Sequence, residues 1–212
     1  MAEERIQRRL AAILAADVVG YSRLMGADEE GTLARMTALR GELLHPKVAE
    51  YGGRIVKTTG DGTLIEFPSA VDAVNHVIDV QRSMARRVSD DDHDSPMELR
   101  MGINVGDVIV DGDDIFGDGV NVAARVEAIA EPGGICLSGT AYDQVRNKLD
   151  LPFKDLGEQS LKNIAEPVRV IAIAIETPSN HTETAVAADA MFRRPAVAVL
   201  PFENMLGDPE QE

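Results

Sequence analysis

Asp17 closes an apolar run, Leu10-Ala11-Ala12-Ile13-Leu14-Ala15-Ala16, and leads into Val18-Val19-Gly20-Tyr21-Ser22. An aspartate there sits where strand ends present ligands, although taken alone it also reads as a strand-end cap. Asp61 lies in Gly60-Asp61-Gly62, and its plain reading is turn chemistry. The two carry more meaning together. If the first strand and the hairpin are neighbours in one sheet, their ends place two carboxylates a few ångströms apart. Like charges that close require a cation, and carboxylates completed by a triphosphate are the usual Mg2+ environment. A third group lies further along. Asp118, Asn121 and Arg125 share one helical stripe beside the apolar stripe Val122, Val126 and Ile129. An amide and a guanidinium presented together suit an anionic, oxygen-rich ligand; alone, the stripe reads as a solvated face.

These residues need elements to hold them. Leu10 to Val19 has the pattern of a buried strand. Asp28 caps a helical pattern from Glu29 to about Tyr51, with Leu33, Met36, Leu39, Leu43 and Leu44 inward, ended by Gly52-Gly53. Arg54–Thr59 and Thr63–Phe67 form a hairpin about Gly60-Asp61-Gly62. Ser69 caps a second helix to about Val88, followed by an acidic loop to Pro96. Strands are expected over Met97–Val105 and Asp107–Val110, with a turn at Asp111-Gly112-Asp113. A third helix covers about Gly119 to Ala130, a strand Ile135–Ser138, a short helix Thr140–Lys148 and a last strand Val168–Ile175. The βαββαβ order predicts an α+β, ferredoxin-like core with the helices on one face of the sheet. Residues 1–175 form this domain. Residues 176–192 read as a polar linker. Residues 193–212 restart a strand pattern, as the truncated beginning of a further domain, because twenty residues cannot make a core.

Composition narrows the partners. The chain has 212 residues, 44% hydrophobic and 27% charged, with a net charge of −15, ordinary for a globular protein except in its acidity. Such a surface repels nucleic acid and anionic lipid, so neither is expected as a partner, and an anionic substrate must arrive with cations. The single cysteine, Cys136, excludes a disulfide framework within the chain and a cysteine-based zinc site, and points to a reducing, cytoplasmic compartment. Arg8-Arg9 before the apolar run mimics a signal peptide, but Glu3 and Glu4 precede it and the run is short. No apolar run approaches the roughly 20 residues that span a bilayer. His45, His76, His93 and His181 form no ligand spacing.

Three segments together resemble the class III nucleotidyl (adenylate or guanylate) cyclase catalytic domain. They are Ala16–Ser22, Lys57-Thr58-Thr59-Gly60-Asp61-Gly62, and Asp114–Arg125 (DIFGDGVNVAAR). The resemblance covers roughly residues 8 to 175, and the closing segment Leu161–Val168 fits it. Residues 193–212 resemble the start of a TolB-like domain of the kind found ahead of tetratricopeptide repeats. The cyclase resemblance implies conversion of ATP to 3′,5′-cyclic AMP and pyrophosphate. It implies that Asp17 and Asp61, with Val18, hold two Mg2+ or Mn2+ ions, and that the N–H groups of Val18, Val19, Gly20, Tyr21 and Ser22 cradle phosphate oxygens. Asn121 orients the ribose, Arg125 neutralises charge in the transition state, and Lys162 reaches the triphosphate. Lys57 and Asp114 match the base-reading pair. Lysine only donates and a carboxylate only accepts, which complements N1 and the N6 amino group of adenine and not guanine.

The resemblance further implies a hairpin arm over Asp107–Asp114 that embraces a second copy. Two complete sites would then lie at a homodimer interface. A cyclase-like regulatory module without turnover is the alternative from a different class, opposed by the presence of Asp17, Asp61, Asn121 and Arg125 together. A diguanylate cyclase is opposed by the absence of its Gly-Gly-acid-Glu-Phe signature; here Gly52-Gly53 precede Arg54-Ile55-Val56.

Overall fold

From Leu10 to Ala16 every residue of the first strand is apolar, in both parities, and the fold uses both. In the computed structural model, which describes residues 7–90 and 97–175, β1 (Gln7–Val18) runs through the centre of an eight-stranded sheet. Ala12, Leu14, Ala16 and Val18 face one core, and Ala11, Ile13 and Ala15 face another on the opposite side. The remaining strands are β2 (Arg54–Thr59), β3 (Gly62–Phe67), β4 (Leu99–Asp111), β5 (Asp114–Phe116), β6 (Ile135–Ser138), β7 (Phe153–Gln159) and β8 (Val168–Ile173). Their order is β2-β3-β1-β4-β6-β8-β7, with β5 paired to β4. The first four positions are the ferredoxin-like arrangement expected from the βαββαβ order, extended beyond β4 by three further strands.

The larger core lies under α1 (Tyr21–Ala27), α2 (Glu29–Ala38), α3 (His45–Glu50), α4 (Ala70–Asp90) and α6 (Gly139–Val145), and includes Met36, Val48, Val74, Val77 and Val145. The remaining helix, α5 (Asp118–Ile129), packs on the other face through Ala123 and Val126. The expectation of helices on one face alone is therefore corrected: the odd-numbered residues of β1 are apolar too and require a cover.

Other departures have local causes. The expected helix from Glu29 to Tyr51 is helical throughout but widens into a π turn at Leu39–Leu44. That turn precedes Pro46, which has no N–H to give to the carbonyl of Glu42. The two strands expected about Gly106 are one, because Gly106 keeps its register against Ala11 and the chain does not turn there. α1 and β7 carry no periodic signal in the sequence and emerge only in the structure. The linker, the TolB-like resemblance and most of the acidic loop fall outside the described residues. Among those described, no helix is long and apolar enough to cross a membrane.

Candidate active site

β1 and β4 are antiparallel, and Asp17 is paired with Arg100 near the start of β4. Arg100 donates from Nη2 to Asp17 Oδ2 at 2.8 Å. Its Nε lies 3.2 Å from Glu127 Oε1, an ion pair without hydrogen-bond alignment. On the other side of β1, β3 pairs Thr63 with Ala16, so the β2–β3 turn brings Asp61 beside Asp17. Arg40, from the π turn, donates to the Gly60 carbonyl and fixes that turn.

Two carboxylates, Asp17 and Glu127, thus face the Arg100 guanidinium, and Asp61 crowds Asp17. Burial raises Asp61 above the usual carboxylate range, and the charge of Asp17 and a carboxyl contact with it add to the shift. Burial pushes Glu127 up to about 7; Arg100 opposes the shift, while Asp17 and Asp61 add to it. The region is short of positive charge. It lines a cleft of about 300 Å³ with Asp17, Asp61, Lys57, Thr63, Val120 and Glu127 on its walls. Among the described residues no group of three or more His, Cys, Asp or Glu side chains is arranged to enclose a metal ion. Mg2+ does not need such a cage: one or two carboxylates suffice when substrate phosphates and water complete its shell. Crowded, undercompensated Asp17 and Asp61 fit that kind of site.

α5 is fixed by close contact. A Cβ on Gly102 would lie 2.1 Å from the Glu127 nitrogen and 2.5 Å from its Cα, so only glycine lets the helix cross β4 here. Buried Asn104 donates to the Gly119 carbonyl at 2.9 Å and accepts from Thr140 Oγ1 at 3.1 Å, which anchors the first turn. Val120, Ala124 and Glu127 face the cleft. Asn121 and Arg125 occupy the neighbouring stripe, about 100° around the helix. Asn121 is exposed and Arg125 partly so, and among the described residues neither side chain has a partner.

The β4–β5 hairpin is the expected arm, and its tip folds back over its own sheet. Ile115 is fully buried in the core that contains Leu64 and Val108. Lys57 Nζ donates to Asp114 Oδ1 and Oδ2 at 3.0 and 2.8 Å and sits 5.3 Å from the centre of the Phe116 ring. The Lys57 hydrogen bond holds the Asp114 carboxyl below its ordinary range. Both side chains are about a third or more exposed, so the pair contributes about 1 kcal/mol or less.

The turn after β1 is only partly open. Val18 is paired with Leu99, and Val19 N–H already donates to the Glu98 carbonyl at 2.9 Å. Gly20 has φ 64°, which starts α1 abruptly and leaves the first-turn N–H groups of Tyr21 and Ser22 without intrahelical acceptors. Lys162 lies elsewhere. β6 runs parallel to β4 and β8 antiparallel to β6, so the β7–β8 connection that carries Lys162 is at the sheet end opposite Asp17. One chain does not bring these two together. Sequence reasoning missed Arg100, Glu127, Asn104 and Arg40, none of which stands in a motif; each acquires its place through strand pairing or helix packing.

The model of the adenylate and guanylate cyclase catalytic domain matches residues 5–174. The chain belongs to that family. A Rhizobium meliloti protein named "Putative adenylate cyclase 3" is 47% identical over 216 residues, which is 100% of this chain and 36% of that protein. The adenylate cyclase of Streptomyces coelicolor is 34% identical over 72% of this chain and 38% of its own length. The chain thus spans little more than a third of these relatives. Among solved structures, the adenylate/guanylate cyclase/hydrolase from Silicibacter pomeroyi superimposes with a TM-score of 0.77 at 46% identity, covering 81% of this chain and 100% of that one. The adenylyl cyclase CyaB from P. aeruginosa gives 0.72 at 26% identity, over 81% and 96%. The eight-stranded α+β architecture is the class III cyclase fold.

Proposed function

We propose that this cyclase domain converts ATP to 3′,5′-cyclic AMP and pyrophosphate, at sites shared between two copies of the chain in the cytoplasm. The observation that carries the reading is the pair of crowded carboxylates, Asp17 and Asp61, at adjoining strand ends, of which Asp17 is paired with Arg100 and Asp61 has no ion-pair partner among the described residues. When bound, two divalent ions held by Asp17, Asp61 and the Val18 carbonyl supply activation of the ribose 3′-hydroxyl and charge neutralisation along the triphosphate.

The chain's own residues do the rest. Tyr21 and Ser22 N–H groups at the start of α1 receive phosphate oxygens, with Gly20 letting the chain approach closely. Lys57 releases Asp114 and donates to adenine N1, while Asp114 accepts from the N6 amino group. Asn121 holds the ribose so that its 3′-oxygen is in line with the α-phosphorus. That oxygen attacks the α-phosphorus, the bond to the pyrophosphate leaving group breaks, and the hydroxyl proton passes to solvent water. Arg125 stabilises the charge that builds on the phosphoryl oxygens. Val120, Ala124 and Glu127 turn α5's cleft side toward its own Asp17, so Asn121 and Arg125 serve the carboxylates of a second copy. Lys162, at the opposite sheet end, reaches the triphosphate from that same side of the interface.

The test is turnover by the purified chain with ATP or GTP and Mg2+ or Mn2+, with cyclic nucleotide and pyrophosphate both measured. Equal release of cyclic AMP and pyrophosphate, abolished by a chelator and weak with GTP, is expected. Nucleotide binding without pyrophosphate release would replace the proposal with a regulatory module.

A further inference from the structure

In a regular strand, residues three apart point to opposite faces, so Arg54 and Lys57 would be separated by the sheet. The β2–β3 register shifts between Ile55 and Lys57: Arg54 faces Glu66, Ile55 faces Ile65, and Lys57 faces Leu64, with Val56 as the extra residue. A one-residue bulge re-aims the side chains beyond it, and here both basic side chains reach the same face, under the β4–β5 hairpin. Arg54 donates from Nε to Glu66 Oε1 at 3.1 Å and from Nη1 to the Asp113 carbonyl at 2.6 Å. Glu66 is 8% exposed and also accepts from Arg9 on β1. Asp113 is the residue before Asp114, whose carboxylate Lys57 holds.

We infer that the Val56 bulge and the Glu66–Arg54–Asp113 bridge form a positioning device that sets the hairpin tip, and hence Asp114, at the height where it reads the base together with Lys57. Glu66 is anchored from β1 and β2, so it aims Arg54; Arg54 grips a backbone carbonyl and so fixes the turn, not a side chain that could rotate away. Arg54 and Glu66 touch no substrate. They act on base selection through Asp114, and the inference rests on the proposed reading role of Lys57 and Asp114.

The experiment compares Arg54→Met, Arg54→Lys and a Lys57→Ala control with the wild-type chain. Three quantities are read: kcat/KM for ATP and for GTP, equilibrium binding of the two non-cyclising 3′-deoxynucleoside triphosphates, and the melting temperature. Arg54→Met should lower the ATP-over-GTP preference about tenfold, the worth of one charge-assisted hydrogen bond. The loss should come mainly through KM and appear equally in binding, with Arg54→Lys restoring part of it. If Arg54→Met does not fold, Glu66→Gln, which keeps one acceptor oxygen, should shift the preference in the same direction by a smaller factor. An unchanged preference in a folded Arg54 or Glu66 variant, beside a Lys57→Ala control that has lost it, refutes the bridge and leaves the base-reading pair standing. An unchanged preference in Lys57→Ala removes the base-reading pair, and the bridge with it.

Discussion

Asp61→Ala and Arg125→Ala damage different halves of a shared site, and mixing them should restore what each has lost. Asp61 stands in the β2–β3 turn beside Asp17, whereas Arg125 lies one residue around α5 from the stripe that faces that cleft. Each variant alone forms dimers with two broken sites, and loss of a comparable arginine in phosphoryl transfer costs about 10³–10⁵ in rate. In an equal mixture with random pairing, half the dimers are mixed. In each of these one site carries both lesions and the other none, so about one quarter of all sites are intact in a closed two-fold dimer. Specific activity should therefore rise from near zero to about a quarter of wild type. The assay is cyclic AMP production after subunit exchange has been verified by native mass spectrometry of differently tagged chains. A site contained in one chain gives the opposite arithmetic: no chain in the mixture is intact, so activity stays at the level of the single variants. Persistent inactivity after verified exchange would thus refute the shared-site reasoning. Dilution of the wild type should in parallel lower specific activity.

Asp17→Ala or Asp61→Ala should each reduce turnover on the order of 10³-fold or more. Without added metal, Asp61→Ala should melt higher than wild type at neutral pH, because burial and Asp17 raise the Asp61 carboxyl and its ionisation is unfavourable in the fold; a lower melting temperature counts against the crowding. Combining Lys57→Glu with Asp114→Cys should erode ATP preference by partly inverting the donor and acceptor pattern; competition between ATP and GTP in one reaction measures it, and an unchanged ratio counts against the pairing. His76 is fully buried against Tyr51 and Phe67 with both ring nitrogens unpartnered. Burial, then Lys47, lowers its pKa to about 4 from 6.5, against a weaker opposing pull from Asp79. The unfolded chain protonates first, so stability is full above pH 6.5 and falls as pH drops toward 4, by up to about 3 kcal/mol. Denaturant midpoints measured near neutrality and in mild acid should show a smaller acid loss in His76→Leu, and an equal loss in both proteins would exclude His76 as its source.

The sequence by itself carried the family, because Asp17, Asp61, Lys57, Asp114, Asn121 and Arg125 sit in contiguous segments whose composition is chemical and not merely structural. It also carried the βαββαβ order, since hydrophobic period and turn residues are local signals. Tertiary structure decided what pairing and packing alone create. Arg100 is an ordinary strand residue until the β1–β4 register sets it against Asp17, and Glu127 is an ordinary helix acid until Gly102 lets α5 approach within van der Waals contact. The second cover of the sheet, the bulge at Val56 and the grip of Arg54 on Asp113 belong to the same class. A motif is written in neighbours along the chain. A charge's partner and burial are set by residues tens of positions away, which the chain meets only when the sheet closes.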